Sequence, residues 1–157
     1  MTEKEINDIV VRQRKYFQTG ATLPVDMRIA GLRRLYTAVS QNEKEILDAL
    51  KKDLGKSGFE SYMCETGLVL EEISYMLKHI RSFSREKRRR TPLAQFHSRS
   101  YQKPSPYGVT LIMSPWNYPF MLTLSPLVDA LAAGNTAVVK PSAYSPHTSR
   151  LILDILS

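Results

Sequence analysis

Two short apolar segments, separated by a stretch long enough for a helix, constrain this chain more than any other feature. Residues 108–113 and 136–139 are apolar and rich in β-branched side chains, and each runs into a proline-containing break, which is typical of buried strands. A crossover of this length between consecutive strands predicts a parallel pair with a right-handed connection. The sequence therefore predicts an α/β protein with a parallel βαβ unit.

The helix between these strands contains a proline. Since proline is disfavoured deep inside a helix, we place Ser125 at the N-cap and Pro126 at the first helical position, after a looser turn from Pro119. Gly134 followed by Asn135 predicts a left-handed cap at the carboxyl end.

Helical periodicity dominates the part of the chain that precedes the strands. Thr2 with Glu5 predicts a capping box at the first helix, and Ser40 with Glu43 predicts another. The longest periodic pattern runs from Ser57 to Phe83 and includes Phe59 and Met63 in its apolar stripe, which predicts a structural helix packed on two neighbours.

Two polar residues follow the predicted strands. Since the carboxyl ends of parallel strands lie at one edge of a sheet, Asn117 and Lys140 are predicted to face the crevice where α/β sheets bind ligands. Asn is also a favoured helix cap, and a strand-end Lys is commonly only solvated. On these residue types alone, the capping and ligand-binding interpretations both stay open.

Proline-flanked motifs lie at these strand ends. They read PWNYP over residues 115–119, AAGN over 132–135 and VKPS over 139–142, and an upstream helix carries LEEI over 70–73. In this order and spacing they resemble the aldehyde dehydrogenase superfamily, and within it the fatty and aromatic, class 3-like enzymes. The resemblance covers essentially the whole chain. It implies N-terminal helices followed by the first βαβ unit of a Rossmann-like cofactor domain.

The resemblance also implies a mechanism, in which a Cys thiolate attacks an aldehyde, a hydride passes to NAD or NADP, and the thioester is hydrolysed. Asn117 matches the amide donor of the oxyanion hole, and loss of such a donor raises the barrier by about 2.7 to 4 kcal/mol. Lys140 matches the lysine that contacts the adenosine ribose. The residues implied in cofactor binding are Ser114, Pro115, Trp116, Lys140 and Ser142.

One position departs from the family pattern. Where the commonest family motif reads Lys-Pro-Ser-Glu, this chain has Ala143 after Ser142. The family glutamate accepts hydrogen bonds from the ribose and would repel a 2′-phosphate. Its absence puts a strict NAD preference in doubt, so NADP is a plausible cofactor beside NAD.

The resemblance divides the chain into three parts. Residues 1–95 form the helical part of the cofactor domain, residues 96–106 an extended segment of the arm that pairs subunits into a homodimer, and residues 107–157 the first βαβ unit. Family members are much longer, and their nucleophilic Cys and general-base Glu have no match here. We therefore expect an N-terminal portion that is inactive alone.

The cysteine and histidines suggest no further site. Cys64 does not match the family's nucleophile motif, and the negative charge of the neighbouring Glu65 disfavours a thiolate there, so a structural role is favoured. His79, His97 and His147 share no metal-ligand spacing, so no metal is predicted.

The charge and the apolar content of the chain indicate which partners and which cell compartment to expect. The net charge of +7 owes much to the run REKRRR over residues 85–90, which is interpreted as a solvated helix end or loop. Nucleic-acid binding lacks a recognition motif. A single cysteine, no secretory signal and no long apolar run favour the cytoplasm and do not indicate membrane association.

Three functions remain open at this point. The first is oxidation of a small-molecule aldehyde to a carboxylic acid. The second is an acyl-CoA or acyl-protein reductase of the same superfamily, running the thioester chemistry in reverse. The third is a non-catalytic fragment that acts by association with partner chains.

Overall fold

A computed structural model describes residues 2–157, which form seven α-helices and four strands. The helices are α1 (Glu3–Gln18), α2 (Val25–Gln41), α3 (Glu43–Leu54), α4 (Gly58–Ser61), α5 (Gly67–Phe83), α6 (Met121–Ala133) and α7 (Pro146–Leu156). The strands are β1 (Lys87–Arg89), β2 (Ser100–Gln102), β3 (Val109–Met113) and β4 (Thr136–Lys140). A π-helical segment, Tyr62–Thr66, joins α4 to α5, and a 3-10 turn, Leu93–Gln95, lies between β1 and β2.

The predicted βαβ unit is confirmed. Strands β3 and β4 are parallel, with Val109 opposite Thr136 and Met113 opposite Lys140, and α6 is the crossover between them. Gly134 ends α6 at a φ of 92°, as the predicted left-handed cap requires.

The predicted start of α6 is wrong. Pro126 lies inside the helix, Ser125 is not its N-cap, and the helix begins five residues before the proline, after Phe120. The carboxylate of Glu65 accepts hydrogen bonds from the first backbone N–H groups of the helix, which stabilises a turn that lies ahead of the proline. Pro126 then removes only one backbone hydrogen bond.

The two predicted capping boxes have different outcomes. At α1 the box is confirmed, because Glu5 N donates to Thr2 Oγ1 at 3.3 Å and Thr2 N donates to Glu5 Oε2 at 2.7 Å. The box of Ser40 with Glu43 is wrong, since α2 continues through Ser40. Asn42 separates α2 from α3 and supplies no side-chain cap to α3.

One apolar core lies between the helices and the β3–β4 sheet. Burying a large aliphatic side chain contributes about 1.5 to 3 kcal/mol, so these residues hold the helical layer onto the βαβ unit. The core residues that are at most 1% exposed are Leu32, Val39, Ile46, Leu50, Val69, Ile73, Ile80, Phe120, Leu124, Val128 and Ile152.

The π-helical segment changes which side chains face this core. It adds a residue to the turn, so Phe59 and Met63 of the predicted stripe are 79% and 54% exposed, whereas Glu65 is fully buried. Gly67 N bonds to Tyr62 O, five residues back, and a Cβ at Gly67 would lie 2.9 Å from that oxygen. The π turn therefore depends on glycine at this position.

Strands β1 and β2 form an antiparallel hairpin outside the core. Lys87 lies opposite Gln102, and Arg89 lies opposite Ser100. The basic run over residues 85–90 was expected as a helix end or loop, but its middle is an exposed strand. No helix formed by residues 2–157 combines the length and apolar character needed to cross a bilayer.

Candidate functional site

The carboxyl edge of the β3–β4 sheet is formed by residues 114–119 and 140–143, and we call it the rim. Ser114 N donates to Lys140 O at 3.3 Å, so backbone pairing continues one residue past β3. Asn117 follows on this side of the sheet, at the edge where β4 ends in Lys140. The structure thus brings the two predicted polar residues to the same edge.

Asn117 does not cap a helix. Phe120 is the N-cap of α6, and no side chain makes the cap hydrogen bond from that position. The Asn117 side chain is exposed, and within residues 2–157 its amide makes no hydrogen bond. Its backbone carbonyl, in contrast, accepts a hydrogen bond from Lys56 Nζ at 3.1 Å. The backbone is held while the amide stays available to a ligand.

The three residues before Asn117 differ in what they expose. The hydroxyl of Ser114 is buried and lies 2.5 Å from Thr123 Oγ1, so it supports the turn from inside. Pro115 and Trp116 are exposed, with 53% of Trp116 accessible. The rim therefore exposes an indole ring on the residue that precedes Asn117.

Beyond β4, the second half of the rim also combines exposed residues with a buried serine. Lys140 is exposed, and its ammonium makes no ion pair within the part of the chain that the structure describes. Ser142 is buried, and its hydroxyl accepts a hydrogen bond from Tyr144 N at 3.2 Å. Ala143 is exposed and apolar.

The donor set of the rim fits part of a dinucleotide. An exposed, unpaired ammonium suits ribose hydroxyls or a phosphate, and an exposed indole offers a flat apolar surface. A cavity of about 800 Å³ is lined by Arg28, Pro106 and Ala133 at the carboxyl end of α6, so it is not part of the rim. Residues 2–157 contain no group of three or more potential metal ligands among His, Cys, Asp and Glu.

Two residues next to the rim were missed by the sequence reasoning. Glu65 and Lys56 form an ion pair of 2.5 Å, and Glu65 Oε2 accepts hydrogen bonds from Phe120 N at 2.8 Å and Met121 N at 3.3 Å. The sequence had drawn attention to Glu65 only as the neighbour of Cys64. Helical periodicity gave no signal for it, since the π turn rotates it into the core.

The fold and the rim define an α/β chain of the class that binds ligands at the carboxyl edge of a parallel sheet. The particular family follows from comparison with known proteins. Residues 1–157 match the model of the aldehyde dehydrogenase family, and the chain belongs to this family. The resemblance predicted from the strand-end motifs is thereby confirmed.

Curated relatives and solved structures agree with this assignment. The chain is 40% identical over 142 residues to 4,4'-diaponeurosporen-aldehyde dehydrogenase of Staphylococcus aureus, covering 90% of this chain and 31% of that protein. It is 40% identical over 147 residues to aldehyde dehydrogenase family 3 member A2 of Mus musculus, covering 94% and 30%. The substrate-bound structure of Staphylococcus aureus AldH superposes with a TM-score of 0.93 at 39% identity, covering 96% and 33%. The chain thus spans about a third of the length of the relatives it matches.

Proposed function

We propose that this chain is the N-terminal part of an NAD(P)-dependent aldehyde dehydrogenase, which oxidises an aldehyde to a carboxylic acid through a covalent thioester. The observation that carries the proposal is the exposed, unbonded amide of Asn117 at the rim that also holds Lys140. The names of the curated relatives described above, which are aldehyde dehydrogenases, support the same reaction class.

In this proposal Asn117 stabilises the transition state of thiolate addition. When a thiolate adds to the aldehyde carbon, the carbonyl oxygen gains negative charge, and the amide N–H of Asn117 donates to that oxygen. A neutral donor on a fixed backbone is suited to this role because it needs little reorganisation as the charge appears. The nucleophilic Cys and the general-base Glu would come from outside residues 1–157, since Cys64 does not match the family's nucleophile motif.

The same rim would hold NAD or NADP. Lys140 would contact the adenosine ribose or its phosphate, with Pro115 and Trp116 along the cleft, while buried Ser114 and Ser142 hold the strand ends. When bound, the nicotinamide supplies the acceptor for the hydride that leaves the aldehyde carbon.

We further propose a homodimer in the cytoplasm for the full-length protein. The β1–β2 hairpin is exposed, and each of its strands has one unpaired edge available for main-chain pairing. A canine relative, 38% identical over 153 residues and covering 97% of this chain and 34% of that protein, is named a dimeric, NADP-preferring aldehyde dehydrogenase. The single cysteine supports a reducing compartment.

The test is an assay of the full-length protein with aliphatic and aromatic aldehydes and with NAD or NADP. We expect aldehyde-dependent formation of reduced nicotinamide together with an equal amount of the carboxylic acid, measured by absorbance and mass spectrometry. Assays with acyl thioesters and reduced cofactor run alongside. Reduction of thioesters without aldehyde oxidation, or no turnover with any aldehyde, would contradict the proposal.

A further inference from the structure

A buried ion pair lies directly beside the rim. Glu65 is fully buried and Lys56 is 8% exposed, whereas the other three ion pairs within residues 2–157 join side chains that are each at least 50% exposed. Burial removes both charged groups from water, and this cost offsets much of their attraction. A role in stability alone is therefore a weak explanation for the pair.

The pair holds both ends of the segment that carries the oxyanion donor. Lys56 Nζ donates to the carbonyl of Asn117 at 3.1 Å. A few residues further on, Glu65 Oε2 accepts from the N–H groups of Phe120 and Met121 at 2.8 and 3.3 Å, while its Oε1 contacts Lys56. One side-chain pair thus bridges residue 117 to the start of α6.

Contacts around the donor show that the position of its backbone depends on this bridge. The Asn117 amide has no hydrogen-bond partner of its own in the described chain, so the backbone of residue 117 is the part that the protein holds, and it sets the point from which the amide extends. The ammonium of Lys56 also lies 4.0 Å from the ring centroid of Tyr118, which secures the next residue as well.

We propose that Lys56 and Glu65 are positioning residues for the Asn117 amide in the dehydrogenase reaction. This inference rests on the function proposed above. A donor must lie within a few tenths of an ångström of its place opposite the developing oxyanion, and a displacement of about 1 Å lowers rates by about a hundredfold. Fixing the carbonyl of Asn117 from one side and the helix start from the other supplies that accuracy.

The main test variant is the double substitution Lys56→Met with Glu65→Gln in the full-length enzyme. It leaves no unpaired buried charge, and Gln keeps an oxygen that can accept from Phe120 N, so we expect the variant to fold. We expect the single-turnover rate of hydride formation to fall at least about tenfold, with cofactor affinity almost unchanged. Ile73→Val is the control, because it removes a buried methyl group from α5, a helix outside the rim, and it should leave the rate unchanged.

Two further readouts separate positioning from general damage. In an Asn117→Ala background, the double substitution should lower the rate by less than about twofold, since the pair acts through the missing amide. Hydrogen exchange measured by mass spectrometry should be faster for the peptide spanning 115–122 in the double variant, and unchanged in Ile73→Val.

Each other outcome decides against the inference. An unchanged single-turnover rate in the double variant would overturn it. The inference would also be overturned if the double substitution lowered the rate by the same factor in the Asn117→Ala background as in the wild-type enzyme. Should the double variant fail to fold, the same measurements on Glu65→Gln alone decide the question, because this variant keeps the side-chain shape and the Lys56 ammonium retains the carbonyl of Asn117 and the ring of Tyr118 as partners. Absence of aldehyde oxidation in the wild-type enzyme would refute the proposed function instead. The bridge is tested independently of activity, and it would be refuted if hydrogen exchange of the peptide spanning 115–122 were the same in the double variant as in the wild-type protein.

Discussion

Met113 and Lys140, the last residues of β3 and β4, are direct register partners in the parallel sheet. The chain therefore leaves both strands at the same level, and residues only a few positions further on meet at one rim. This relationship places Asn117 and Lys140 at one edge of the sheet, although 22 residues lie between their strands.

Replacing Asn117 with Ala should slow acylation in the full-length enzyme by about a hundredfold or more, since one oxyanion donor is lost. Cofactor affinity should change by only a few-fold. Pre-steady-state hydride formation and cofactor titration measure the two effects. Asn7→Ala makes the same chemical change at an exposed position on α1 and is the matched control. An unchanged burst rate would show that Asn117 is not the donor.

Cofactor selection should respond to Ala143, which is exposed at the rim. We expect the wild-type enzyme to use NADP with a catalytic efficiency at least comparable to that with NAD. Ala143→Glu should shift the preference toward NAD, because a carboxylate repels a 2′-phosphate. Ala94→Glu, at an exposed site in the 3-10 turn, is the control for added charge. If the ratio of the two kcat/KM values stays constant in the Ala143 variant, this position does not govern selection.

Gly67→Ala should destabilise the protein by about 1 to 3 kcal/mol, because the new Cβ would press against the backbone oxygen of Tyr62. The π turn would have to shift, and Glu65 would move with it. Gly31→Ala is the matched control, since α2 has open space around this glycine, and it should stabilise by about 0.5 to 1 kcal/mol. Chemical denaturation of both variants measures the difference. Equal effects of the two substitutions would rule out the steric account.

Stability should depend on pH through Glu72. Burial raises the pKa of this carboxyl above its ordinary value, and repulsion and a hydrogen bond with Asp129 and the charge of Glu71 add to the increase. The folded state then binds more protons than the unfolded state between the two pKa values, so the free energy of unfolding falls as pH rises through that window.

Glu72→Gln should therefore raise Tm at neutral pH and lose this advantage below the ordinary pKa of glutamate. Thermal melts across the acidic range test both statements. Glu45→Gln, at an exposed position on α3, is the control for removing one negative charge. A Tm difference that is the same at every pH would contradict the assignment to Glu72.

Residues 1–157 expressed alone should lack dehydrogenase activity and fold poorly. Strand β3 leaves Leu111 and Met113 63% and 66% exposed, and α7 leaves Leu153 55% exposed, so apolar surface stays in contact with water. Both strands of the β3–β4 sheet also have one unpaired edge. Light scattering, a thermal melt and an aldehyde assay provide the test. A monodisperse chain with a cooperative melt would contradict the folding prediction, and turnover abolished by Cys64→Ser would contradict the catalytic one.

The parts of the fold that could be predicted are those encoded by neighbouring residues. The β-branched segments, the left-handed cap at Gly134 and the capping box at Thr2 each depend on contacts within a few positions. The strand-end motifs around Asn117 and Lys140 could be recognised for the same reason, since each is a short run of neighbouring residues. The parallel register of β3 and β4 then brings the two motifs to one edge of the sheet.

The start of α6 near Ser125 and the burial of Glu65 could not be predicted from neighbouring residues. Ser125 was predicted as a cap from its neighbour Pro126, yet the helix starts earlier because a carboxylate 55 residues before Phe120 accepts the N–H groups of its first turn. Glu65 was considered only as the neighbour of Cys64, and its burial was not predicted, because a regular helical period does not include the extra residue of a π turn.

The sequence by itself determined the parallel βαβ unit, the family and the candidate rim residues, since these follow from local patterns and motifs. Only the tertiary structure decided how the helices that flank the rim begin. Helix α6 begins against Glu65, and α7 begins against Asp53, which accepts from His147 N and Thr148 N across 94 and 95 positions. The free N–H groups of a first turn can bond to any acceptor that packing brings within reach. The spacing of residues along the sequence does not predict acceptors that lie so far away in the chain.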